Sequence, residues 1–166
     1  MNQAQGQSEQ FYLAAYIPPL RDGSPIPDEN SIRVKQFQKL VFQEKKVVLD
    51  DSINAHKFGI DGVVLANSSL QLVNVPNMFL RVDQKTGRMK LCPNGKSSVG
   101  FSVRKDKLNY NGQDAWSVCN PEGGDFGFIY PGTLKSNDKF CKTGGTQIFV
   151  RTVGKNDASG ALPDFP

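Results

Sequence analysis

Apart from Ser31 to Phe42, no long stretch of this chain keeps apolar side chains at helical spacing without a Gly or Pro interrupting it. Even Ser31 to Phe42 is rich in Val, Phe and Gln and reads as strand. What recurs instead is a short run of β-branched and aromatic residues followed by a turn signal. The runs are Phe11 to Ile17, Ile32 to Val34 with Phe37, Leu40 to Phe42, Lys46 to Asp50, Gly62 to Leu65, Ser69 to Val73, Met78 to Val82 and Arg88 to Leu91. Val99 to Val103, Lys107 to Tyr110, Ala115 to Cys119, Phe126 to Tyr130 and Thr146 to Val153 complete the series. Gly87 and Asn111-Gly112 sit where hairpins need a positive φ. Many short strands at close spacing predict an all-β fold: a single compact antiparallel barrel, trefoil-like or sandwich domain. The sequence does not separate these three, although the absence of a convincing internal repeat counts mildly against a trefoil. At 166 residues the chain supports one core, expected over 10–154, with loose tails at 1–9 and 155–166.

The inventory for catalysis is thin. One histidine, His56, leaves little room for imidazole-based hydrolysis, and neither G-x-S-x-G nor H-E-x-x-H occurs. Cys92-Pro93-Asn94-Gly95-Lys96-Ser97 imitates the end of a phosphate loop, but Lys90 stands where the first glycine must be. Gly123-Gly124-Asp125-Phe126-Gly127 reads as a turn between strands. Cys92, Cys119, Cys141 and His56 lack the chelating pair a zinc site uses, so no metal or cofactor is expected. Asp50, Asp51, Asp114, Glu122 and Asp125 are the carboxylates from which a glycosidase pair would have to come. Adjacent Asp50 and Asp51 would face opposite sides of a strand. The expectation is a protein that is not an enzyme.

Charge is unevenly placed. Between Arg81 and Lys107 lie Arg81, Lys85, Arg88, Lys90, Lys96, Arg104, Lys105 and Lys107, against Asp83 and Asp106, so this segment is +6 in a chain of net charge +4. Folded as neighbouring hairpins, Arg81, Lys85, Arg88, Lys90, Arg104, Lys105 and Lys107 are expected to form one basic patch suited to an anionic polymer. Glycine interleaved with aromatics, the signature of an RNA-reading sheet, is absent, which disfavours nucleic acid. No apolar run reaches the roughly 20 residues that cross a bilayer as a helix.

The three cysteines leave two arrangements open. Cys119 and Cys141 flank a Gly- and Pro-rich stretch that a disulfide could close, or both could be thiols; Cys92 reads as a small buried apolar residue in either case. Asn67-Ser68-Ser69 is the only N-glycosylation sequon and marks Asn67 as a candidate glycosylation site.

Ser69-Leu70-Gln71-Leu72, Lys107 to Gly112, Cys119-Asn120-Pro121-Glu122-Gly123-Gly124, the aromatics Phe126, Phe128 and Tyr130, and Cys141 before Ile148 to Val153 follow one another in a distinctive order. In order and spacing the chain resembles the fungal phialide-type (PhiA) cell-wall protein family over most of residues 10–155. Cys92 and the placement of Trp116 depart from that layout. The resemblance implies a secreted, wall-associated protein without catalysis and a cysteine pair at Cys119 and Cys141. The expected partner is wall polysaccharide or another surface glycan, with Trp116, Tyr110, Phe126 and Tyr130 as candidates to stack on sugar rings. A polyanion-binding module and a small carbohydrate-active enzyme using Asp and Glu are the alternatives.

Overall fold

The computed structural model describes residues 7–17, 38–43, 45–50, 58–93, 95–119, 126–133, 141, 145–155 and 163–165. The expected strand residues Ile32 to Val34 and Phe37 lie outside them. Among the described residues every regular element is a strand. In chain order these are β1 (Phe11–Tyr16), β2 (Val41–Gln43), β3 (Lys46–Asp50), β4 (Phe58–Gly59), β5 (Asp61–Val64), β6 (Leu70–Leu72), β7 (Met78–Val82) and β8 (Met89–Pro93). β9 (Phe101–Arg104), β10 (Lys107–Tyr110), β11 (Ala115–Cys119), β12 (Phe126–Pro131) and β13 (Thr146–Gly154) follow. Only Ile60 separates β4 from β5.

All the strands belong to one antiparallel sheet whose pairing runs β1-β5-β6-β7-β8-β3-β12-β11-β13 and returns to β1, a closed ring. Closure follows from β13, whose nine residues are long enough to pair β11 through Thr146 to Phe149 and β1 through Phe149 to Gly154. β9 and β10 extend from β13, and β2 with β4 from β3. The alternation of β13 shows why it can lie between partners: Ile148, Val150 and Thr152 are buried, while Phe149, Arg151 and Val153 point the other way.

Two hairpin turns hold registers that the sheet depends on. Asn111 and Gly112, at φ 52° and 81°, make the two-residue turn from β10 towards β11, and Tyr110 and Gln113 exchange backbone bonds of 2.9 and 3.1 Å across it. Both central residues need positive φ, which asparagine tolerates and glycine favours. Lys105 and Asp106, at φ 53° and 61°, do the same between β9 and β10 without a glycine.

The inward positions of nearly all strands share one core that includes Phe11, Leu40, Ile60, Leu80, Phe101 and Trp116. A smaller cluster of Val48, Cys119, Phe128, Tyr130 and Cys141 surrounds the disulfide between Cys119 and Cys141, whose Cα atoms are 6.4 Å apart. Closing a loop of 22 residues stabilises the domain by roughly 3 kcal/mol in the chain-entropy account. Two points in the expected tails are tied down. The Ser8 amide donates to Val64 O at 2.8 Å, its hydroxyl accepts from the Val64 amide at 2.9 Å, and Phe165 exchanges two 2.9 Å backbone bonds with Val103 and joins the core. An isolated bridge of this kind needs only one correctly placed residue, so composition does not reveal it.

Candidate functional site

The β7–β8 hairpin presents one face to the core through Leu80, Val82, Met89 and Leu91, so the alternate residues Phe79, Arg81, Lys90 and Cys92 share the other. Arg81 lies directly opposite Lys90, and Lys90 directly opposite Lys46 of β3, which sets three cations in register across three adjacent strands. Like charges facing each other across strands are destabilising. The surrounding loops add charge to this face. Lys45, in the turn between β2 and β3, is fixed by its carbonyl, which accepts from the Leu91 amide at 2.9 Å. Lys85 lies in the β7–β8 turn, and Arg81 Nη1 donates to the Lys96 carbonyl at 3.2 Å.

Arg81, Lys90 and the three loop lysines line a cleft of about 420 Å³, which Lys46 does not border. Lys45, Arg81, Lys85, Lys90 and Lys96 meet there against one carboxylate among the described residues, Asp83. Asp83 is itself committed. Its Oδ2 accepts from Lys90 Nζ at 2.9 Å, and its Oδ1 accepts from the amides of Lys85 at 2.7 Å and Thr86 at 3.2 Å. The Lys90 ammonium first, then the Lys85 amide, hold its carboxyl at about 2, so it stays ionised at any ordinary pH. Gly87, at φ 75°, completes the turn by donating to Asp83 O at 2.7 Å. With Asp83 ionised, the cleft retains a large positive excess over a concave surface, where low-dielectric walls concentrate the field.

Cys92 contributes to the cleft wall but is only 4% exposed, and burial pushes its thiol up despite the opposing influence of Arg81, Lys90, Lys45 and Lys96. A protonated, buried thiol is a packing residue rather than a nucleophile.

The remaining basic residues go elsewhere. Arg88 lies over the Phe128 ring at 3.9 Å. Arg104 is opposite Lys107, and Lys107 opposite Arg151, a second row in register on β9, β10 and β13. Lys107 Nζ lies 4.1 Å over the Phe149 ring, and the Lys105 amide donates to Asp164 at 2.8 Å. Of the residues expected in one basic patch, Arg81, Lys85 and Lys90 line the cleft and Arg104 and Lys107 share a second row, because a strand pairs with whichever neighbour the ring provides and not with its neighbour in sequence. Lys45 and Lys46 were absent from the expected patch. They reach it only through the β3–β8 pairing, and the Lys45-Lys46 doublet is the sole local trace of it.

The aromatic candidates separate in the same way. Trp116 is fully buried, with its indole Nε1 donating to Leu108 O at 2.9 Å, so its ring is core and offers no stacking face. Tyr130 is 1% exposed, whereas Tyr110 is half-buried and stands against Phe101 at 5.1 Å and Trp116 at 6.2 Å. Tyr110 and Tyr130 both line a second cavity, of about 470 Å³, which also includes Asp83 and Gln84 from the cationic cleft. The Phe126 side chain lies outside the described residues, as do the Asp50 side chain, Asp51, His56, Glu122 and Asp125. Asp114 is half-buried and lines neither cavity.

Asn67 is exposed in the turn before β6, with its Oδ1 accepting from the Ser69 amide at 3.0 Å and the Ser69 hydroxyl at 2.6 Å. Among the described residues no group of three His, Cys, Asp or Glu is placed to hold a metal ion, and no helix is long and apolar enough to cross a membrane. No family model, curated protein or solved structure matches the chain.

Proposed function

We propose that this chain is a non-enzymatic binding protein of a fungal wall or cell surface, built as a β-trefoil, that holds anionic polysaccharide in the cleft between Lys45, Arg81, Lys85, Lys90 and Lys96. The observation that carries the binding assignment is the convergence of five cations on one concavity from three separate segments of chain, with Asp83 the single described carboxylate among them. A solvated face disperses such charges; here the β3–β8–β7 registers bring them together at a cost in mutual repulsion that a bound polyanion would relieve. Supporting secretion are the Cys119–Cys141 disulfide, a bond that persists in oxidising compartments, and the exposed sequon at Asn67. Wall placement rests on the resemblance in order and spacing to the phialide-type proteins.

The trefoil reading rests on the pairing pattern. The hairpins β2–β3, β7–β8 and β11–β12 contact one another through β3–β8 and β3–β12. The other strands pair as β1–β5, β5–β6, β9–β10, β10–β13 and β13–β1. The amides of Gly100 and Phe101 close the gap between them by donating to Ser68 O at 3.0 and 2.9 Å. Six strands closed on themselves and capped by three hairpins is the trefoil plan.

Passing the protein over immobilised polysaccharides tests this function. Retention on sulfated, phosphorylated or uronate-rich polymers, released by salt, with passage through neutral glucan and chitin, is the expected result. Equal retention on neutral and acidic polymers, or on none, would overturn it.

A further inference from the structure

The cationic cleft does not end at Asp83. The second cavity begins on the other side of the same turn, sharing Asp83 and Gln84 with the first, and its lining differs in kind. Beyond Asp83 it is lined by the half-buried Tyr110, which packs against the core, and by the exposed Gln84, Asn111 and Thr133, without a Lys or Arg among its described lining residues. Tyr110 is braced by Phe101 and Trp116, and Trp116 is anchored in turn to Leu108 O, so the ring is held before any ligand arrives. Asn111, at positive φ in the hairpin turn, follows Tyr110 and packs its side-chain amide against Gly100. A fixed aromatic face rimmed by amides and a hydroxyl suits the apolar face and the hydroxyl edge of a sugar ring, whereas a phosphate or sulfate alone has no use for it.

We infer that the two cavities are neighbouring subsites for one anionic glycan: the charged substituent lies among Lys45, Arg81, Lys85, Lys90 and Lys96, and an adjoining neutral ring lies against Tyr110 between Gln84 and Thr133. This rests on the function proposed above and narrows its ligand from polyanion to acidic oligosaccharide. Asp83 is the partition. Both of its oxygens are already bonded, so it separates the subsites and excludes a second anionic group from the boundary.

The test is calorimetric titration of the folded protein with a tetrasaccharide multiply sulfated on its terminal ring and neutral elsewhere, its desulfated counterpart, tripolyphosphate and a short single-stranded oligonucleotide. The tetrasaccharide is expected to bind about tenfold more tightly than tripolyphosphate. The variant Thr133→Ala, at an exposed position that lines the second cavity and not the cationic cleft, is expected to lose roughly three- to fivefold toward the tetrasaccharide and nothing toward tripolyphosphate. Tyr110→Ala, checked for folding by its melting curve, is expected to behave in the same direction. If the tetrasaccharide and tripolyphosphate bind alike, or if Thr133→Ala leaves the tetrasaccharide unaffected, the neutral subsite is wrong while the anionic cleft stands. If wild-type protein binds neither, the function proposed above fails with it, and tighter binding of the oligonucleotide would replace the glycan with nucleic acid.

Discussion

The rows Lys46–Lys90–Arg81 and Arg104–Lys107–Arg151 are alike in plan, three cations in register on adjacent antiparallel strands. Their surroundings differ. Around the first row, the β2–β3, β7–β8 and β8–β9 connections bring Lys45, Lys85 and Lys96 to the rim of a cleft, so the charges converge on a space a ligand can enter. At the second row Lys107 lies over Phe149, and the returning chain end places Asp164 on the Lys105 amide and Phe165 on Val103. That row borders neither cavity. Charge density along a chain therefore does not define a binding site; convergence on a concavity does.

The sharpest way to break this comparison is to reverse charges in each region separately. Lys85→Glu/Lys96→Glu is expected to weaken binding to sulfated polysaccharide by about 2 kcal/mol, roughly thirtyfold, and to flatten its salt dependence. Arg104→Glu/Lys107→Glu is expected to change it by less than about threefold. Equal losses in the two variants would merge the regions again.

Asp83 sharpens it further, because its two roles predict opposite signs. Its carboxyl sits at about 2 in the folded chain against an ordinary value of 3.8, so the stability it contributes is present above pH 3.8 and lost as pH falls toward 2. Asp83→Asn is expected to lower stability at pH 7 by about 1 kcal/mol after solvent screening, and to abolish that part of the acid dependence. The same change adds one positive charge to the cleft, so anion affinity is expected to rise by about two- to threefold. Denaturant melts across pH 2 to 7, with a parallel binding titration, read both effects.

On the other side, Lys105 occupies a left-handed conformation that a side chain disfavours, in a turn with no glycine. Lys105→Gly is expected to stabilise the protein by about 0.5 kcal/mol, with anion affinity unchanged because this turn lies outside the cleft. A thermal melt and one binding isotherm check it.

Much of this architecture was legible in the sequence, and the reasons are local. Nearly every expected run from Phe11 to Val153 that falls within the described residues coincides with a strand, since β-branched alternation and turn residues act over a few positions. Asn111-Gly112 forms the turn its composition demands. What was not legible is long-range. Nothing near Lys45 indicates that its carbonyl meets the Leu91 amide, and nothing near Arg104 indicates that its strand lies away from the cleft, because both facts are set by register between distant strands. Trp116 shows the same limit. Period two assigns it a face of β11, but only the closed ring makes that face interior. Gln84 and Thr133 carried no signal at all, being ordinary polar residues until the fold brings them to one cavity with Tyr110.

The central claim, that the cleft and not the basic segment as a whole takes the anionic glycan, is tested most directly by titrating isotopically labelled protein with a sulfated tetrasaccharide and following backbone amide resonances. The account predicts perturbations centred on Lys45, Lys85, Lys90 and Lys96 and extending across Gln84 toward Tyr110, with Arg104, Lys107 and Arg151 silent. Perturbations centred on Arg104, Lys107 and Arg151 would contradict it.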